Sequence, residues 1–131
     1  MEQPAIGPGV EAVIDALGGS GSGAVAAYLD EDTLLHIPGG SGFAGDFQGR
    51  DAICGLLDRM TEVSQRTIRF ETARATRRDS AGVRLHGHVQ GQRPARSLQM
   101  NATVEMTVDG KLIREAWLVC SDQSAWDAFW G

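Results

Sequence analysis

The chain has 131 residues, the size of one domain, and we expect a single domain over 1–131 that needs no disulfide or metal staple. Hydrophobic residues make up 42% and charged residues 22%, which excludes wholesale disorder, and no apolar run approaches the roughly 18 residues of a membrane helix. A net charge of −5 argues against a general nucleic-acid binder. The N-terminal stretch MEQPAIGPG has no basic end and no apolar signal core, so a cytoplasmic protein is expected. Cys54 and Cys120 lie far apart and form no CxxC pair, which reads as two buried thiols in a reducing compartment.

In chain order, Val10, Val13, Ile14 and Leu17 form a helical stripe that Gly18-Gly19 should end. A second short helix is predicted near Ala24 to Leu29, closed by Asp30-Glu31-Asp32. A short strand follows over Leu34 to Ile37, stopped by Pro38-Gly39. The cluster Gly39, Gly40, Gly42, Gly45 and Gly49 reads as loop. Asp51 sits in the first turn of a third helix carrying Ile53, Leu56, Leu57, Met60 and Val63, where the helix dipole favours an anion. The apolar period then changes from helical to two. Ile68, Phe70 and Thr72 alternate with charged residues, and Val83, Leu85 and Val89 alternate with Arg84, His86, His88 and Gln90. Leu98, Met100, Ala102, Val104, Met106 and Val108 alternate with Gln99, Asn101, Thr103, Glu105 and Thr107. Asp109-Gly110 is a hairpin signal, and Leu112 to Cys120 is the last strand. Trp126, Phe129 and Trp130 recur at helical spacing in a tail that Asp122 should cap. Helices first and antiparallel strands after them make an α+β fold, with helices packed on one side of a curved sheet.

No phosphate-cradling GxxxxGK[ST], no HExxH and no GxSxG is present. His86 and His88 share a strand face two residues apart and are spaced to chelate. No Cys, Asp or Glu completes a triad nearby, so no metal is expected. His36 stands in the otherwise apolar Leu34-Leu35-His36-Ile37-Pro38. It reads either as a hydrogen-bonded core residue or as a pocket-facing acid–base group whose pKa partial burial would lower. Eight arginines lie between Arg66 and Arg96, against only Glu71 and Asp79. They form a solvated sheet face or a field that steers an anion.

Several segments together resemble the SnoaL-like proteins of the nuclear transport factor two and ketosteroid isomerase superfamily. These are Ala26-Ala27-Tyr28-Leu29-Asp30-Glu31-Asp32, Leu35-His36-Ile37-Pro38-Gly39, Phe43 to Ile53 (similar to the family's aGxyxGxdai) and Asp109 to Trp117 (similar to dGkIxexW). The resemblance covers nearly the whole chain. It implies a cone-shaped, cystatin-like roll: N-terminal helices packed in a strongly bent antiparallel sheet that encloses an apolar pocket. It further implies a homodimer through the outer sheet face. Parity alone leaves open which face of the 98–108 strand lines the pocket.

The isomerase general base falls on His36, whereas the oxyanion-hole Tyr of the first helix has no counterpart; the one tyrosine, Tyr28, is in the second. The His and Asp that cyclases of the family carry around the last strand's Trp fall on Ala116 and Leu118. Polar positions on the preceding strand fall near Asn101 and Thr103. The leading expectation is thus a cofactor-independent isomerase- or cyclase-type enzyme on a small hydrophobic polycyclic or carbonyl-bearing molecule. His36 is its expected acid–base group, and Asn101, with one of Arg84, His86 or His88, polarises an oxygen. Tyr28, Phe43, Leu57, Thr103, Ala116 and Leu118 complete the expected binding wall. The alternative is a non-catalytic binder of the same ligand class, because this fold carries many activities.

Overall fold

A computed structural model describes residues 8–131. The reading of the N-terminal stretch falls mainly on residues 1–7, outside the described ones. The elements run α1 (Pro8–Asp15), α2 (Gly23–Ala26), β1 (Leu34–Ile37), β2 (Gly45–Gln48), α3 (Arg50–Val63), β3 (Arg69–Arg77), β4 (Gly82–Arg93), β5 (Arg96–Asp109), β6 (Leu112–Cys120) and α4 (Gln123–Trp130). Six strands form one open sheet in the order β2-β1-β6-β5-β4-β3. The expected α+β roll is present, with one difference from an all-antiparallel sheet: β1 pairs with β6 in parallel, while every other pair is antiparallel.

Two local expectations are corrected. Gly18-Gly19 does not end the first helix cleanly. The chain continues through a π-type turn, Ala16–Ser20, and breaks at Gly19, whose φ of 113° is open to glycine. The second glycine cluster is not all loop, because it contains β2. That strand lies at the sheet edge with three of its four residues exposed, so it needs no buried face and shows no apolar alternation.

Alternation along β5 sorts the molecule into an inside and an outside. Leu98, Met100, Ala102, Val104 and Met106 are buried, and the polar residues between them face outward. The register continues this layer across the sheet: Met106 lies opposite Val83 and Ala116, and Val104 opposite Leu85 and Leu118. Leu35 joins it opposite Ala116. The helices and the turn after α2 cover this inner layer with Val10, Ala12, Val25, Leu29, Ile53, Leu56 and Met60. Arg50 braces them, its guanidinium donating to the carbonyls of Ala26 (2.9 Å) and Leu29 (2.6 Å) at the end of α2. The Ala26 carbonyl also accepts from the Leu29 N–H at 3.3 Å, and a cation at this C-terminal end of the turn is favourable.

Close approach of β3 over β4 gives the sheet its bend. A methyl group on Gly87 would lie 2.3 Å from the Glu71 carbonyl oxygen and 2.8 Å from the Phe70 ring. The ladder between these strands slips by a residue between Thr72 and Arg74, a bulge of the kind that re-aims a strand. The tail helix then closes one end. Asp122 caps it as expected, its carboxylate accepting from the Ala125 N–H at 3.0 Å. Trp126, Phe129 and Trp130 are buried, and Trp130 meets Phe43 edge-on with ring centroids 5.0 Å apart. Arg93 and Arg96 both donate to the Phe129 carbonyl in the last turn. The aromatic tail is therefore a wall of the core. Gly87→Ala should cost about 1–3 kcal/mol by forcing β3 off β4, read as a lower midpoint in urea unfolding. An unchanged midpoint would mean that this approach does not set the bend.

Candidate functional site

An apolar cavity of about 390 Å³ lies between the sheet and the helices. It falls within the size range of small-molecule sites. Leu57, Met60, Val104, Met106, Leu118 and Trp126 are among its walls. Apart from two threonines, two arginines and the indole N–H of Trp126, which has no hydrogen-bond partner among the described residues, every described lining group is apolar or glycine. Both threonine hydroxyls are engaged by the protein itself, Thr33 donating to the Ile113 carbonyl (2.8 Å) and Thr61 to the Leu57 carbonyl (2.9 Å). No His, Asp, Glu, Lys, Cys or Tyr stands among the described lining residues. The wall is thus built to exclude water from an apolar body, and it holds no group that titrates near neutral pH.

The residues expected to form the site are divided by strand parity. Leu57, Ala116 and Leu118 line the cavity. Leu35 and Ile37 point inward from β1, so His36 between them points to the outer face, away from the cavity. Arg84 is also outside, held by Glu105 at 2.9 Å. His86, His88, Asn101 and Thr103 line a shallow groove on that outer face, where His88 Nδ1 lies 3.4 Å from the Asn101 amide oxygen. Tyr28 and Phe43 belong to the packing around the cavity rather than to its wall. Tyr28 lies beside Gly9 with its carbonyl accepting from the Ile113 N–H, and Phe43 sits between Trp130 and the Arg59 guanidinium. Among the described residues no three His, Cys, Asp or Glu side chains converge as metal ligands. Burial pushes the Cys120 thiol up to about 11 and raises that of Cys54, so both stay protonated at neutral pH. Sequence reasoning missed Gly19, Arg66 and Arg69 as lining residues. The arginines were visible only as members of a crowded basic stretch.

His36 makes a compact cluster outside the cavity. Its Nδ1–H donates to Asp46 (2.7 Å), its Nε2–H donates to Glu115 (2.6 Å), and its ring stacks on Trp117 with centroids 5.5 Å apart. Only the imidazolium can donate from both nitrogens. The hydrogen bond to Asp46, then that to Glu115, raises its pKa above the ordinary value, against a smaller opposing effect of burial. In the unfolded chain the ring titrates near ~6.5. Below that pH the cluster's stabilisation is fully present, and it is lost as pH rises through the higher folded value. The protein should therefore lose stability as pH climbs above about 6.5, and His36→Gln should remove that component of the slope in urea unfolding. Equal slopes in both proteins would show that His36 is not held as imidazolium.

No helix among the described residues is long and apolar enough to cross a membrane. No curated protein matches the chain. Among solved structures, Bal32a from a soil-derived mobile gene cassette superposes with a TM-score of 0.86 at 22% identity, over 95% of this chain and 97% of that one. A protein of unknown function with a cystatin-like fold from Xanthomonas campestris gives 0.82 at 26% identity, over 94% and 95%. TerC, co-crystallised with polyporic acid, gives 0.76 at 15% identity, over 93% and 97%. The fold is that of the nuclear transport factor two-like and ketosteroid isomerase-like proteins. The model of the SnoaL-like domain matches residues 10–116, most of the chain, and the protein belongs to the SnoaL-like family.

Proposed function

We propose that this protein binds a small hydrophobic polycyclic or carbonyl-bearing molecule in the internal cavity without itself supplying acid–base chemistry. One observation carries the reading: apart from the arginines at its rim, the described cavity wall is largely apolar, and it lacks any side chain able to take or give a proton near pH 7. The enzyme expected from His36 and Asn101 has weaker support, because both side chains lie on the outer face of the sheet. TerC, crystallised with polyporic acid, supports the idea that a cone of this shape holds an organic ligand. The reading needs no cofactor.

A thermal-shift panel of polycyclic ketones, quinones, epoxides and steroids tests it. A ligand at ~100 times its dissociation constant adds about 2.7 kcal/mol, which for a domain of this size is a rise on the order of 10 °C. Leu118→Trp, which places an indole in the cavity, should abolish the rise, and His36→Ala should leave it intact. A rise that survives Leu118→Trp, or no rise with any compound, would sink the reading. Turnover of a bound compound that disappears with His36→Ala would restore the enzyme.

The proposal extends to a cytoplasmic homodimer through the outer sheet face. Val119, the one large hydrophobic residue that is exposed among those described, lies there opposite Thr103. Sedimentation should give the dimer mass, with Val119→Arg shifting it to monomer; a wild-type monomer contradicts the proposal.

A further inference from the structure

The mouth of the cavity differs in chemistry from its wall. Of the described residues that line the cavity only Gly19 and Arg66 are exposed, so it meets solvent between the break after α1 and the turn after α3. The turn is an unusual one. Gln65 and Arg66 both adopt left-handed backbone angles, φ 55° and 64°, and the Arg66 N–H donates back to the Thr61 carbonyl at 2.7 Å. This geometry brings Arg66 to the rim instead of letting the chain run straight into β3.

Arg69 joins it from the first residue of β3. Its guanidinium donates through Nη1 to the carbonyls of Arg66 and Ile68, both at 3.3 Å. It also lies close against Gly19, where a methyl group would come within 2.7 Å of Nη1 and 2.8 Å of Cζ. Glycine at position 19 thus serves twice. It permits a φ of 113° and leaves room for the guanidinium beside the opening.

Neither arginine has a carboxylate partner among the described residues. Arg78 and Arg84 share Glu105, and Arg114 pairs with Asp30; Arg74, Arg77, Arg93 and Arg96 also lack a carboxylate partner among the described residues, but none of them lines the cavity. Two guanidinium groups without a carboxylate partner among the described residues therefore stand at the entrance of an apolar cavity, in a protein whose net charge is −5. Guanidinium is weakly hydrated, planar and always charged, and it suits the paired oxygens of a carboxylate or sulfonate.

We infer that the cavity selects amphipathic organic anions, with the ring system inside and one anionic oxygen group at the rim on Arg66 and Arg69. The inference rests on the small-molecule reading above and adds the charge of the ligand to it. It also gives two members of the arginine-rich stretch a role that the sheet-face arginines do not share.

Two fluorescent probes separate the claims. Anilinonaphthalene sulfonate and phenylnaphthylamine share an aromatic body and differ by the sulfonate. The wild-type protein should bind the sulfonate about tenfold more tightly than the neutral dye at low salt, the size expected for a hydrogen bond to a charged group. The preference should shrink as salt is added. Arg66→Gln and Arg69→Gln should each reduce it and the double variant should remove it, while the neutral dye keeps its affinity in all three. Arg66→Lys should retain most of it, which distinguishes lost charge from damaged folding. Equal affinity for both dyes in the wild type, or parallel loss of both in the variants, overturns the anion preference and leaves the cavity reading standing. Failure of both dyes to bind removes the cavity reading and this inference with it.

Discussion

A side chain on a sheet faces one way or the other, and in this molecule that constraint decides where chemistry can occur. Because β4, β5 and β6 are in register, a single alternation runs across all three strands. It sends Val83, Leu85, Val104, Met106, Ala116 and Leu118 inward and Arg84, His86, Asn101, Thr103 and Glu105 outward. The parallel pairing of β1 with β6 extends the pattern, so Leu35 follows Ala116 inward and His36 follows Trp117 outward. A slip of one residue would invert every one of these assignments. The apolar cavity and the polar outer face thus share one cause.

Curvature turns that inner face into an enclosure. The missing side chain at Gly87 and the bulge in β3 let Phe70 fold over β4, and Gly91 leaves the space in which Ile68 and Phe129 meet the sheet. The aromatic tail closes one end and the helices close the side, with Arg50 fastening α2 to the start of α3. What remains open is the stretch between Gly19 and Arg66. The division of labour follows: an apolar interior that binds by excluding water, a rim that carries charge, and an outer face whose ionic groups are largely spent on one another.

Much of this was legible in the sequence, and the illegible parts have physical reasons. The β5 alternation, the Asp109-Gly110 turn, the helical stripe of α3 and the Asp122 cap are local patterns, and local patterns can be read locally. Strand β2 was hidden because an edge strand with little burial leaves no periodic mark. The direction of His36 was hidden because β1 is four residues long and apolar on both sides of it, so the strand offers no alternation to read. Leu57, Ala116 and Leu118 could be placed on the cavity wall by resemblance to the family, whereas Arg66 and Arg69 could not be told from their neighbours. Their distinction is that they alone of the arginine-rich stretch line the cavity, and that is a property of the folded chain.

The most direct test of the account is a methyl NMR titration of the wild-type protein with the tightest ligand of the panel. If the cavity is the binding site, the methyl groups of Met60, Met106, Leu57 and Leu118 shift together and saturate with one affinity, while those of Val119 and Thr103 on the outer face stay in place. Shifts confined to Val119 and Thr103, with the cavity methyl groups unmoved, would place binding on the outer sheet face and contradict the account.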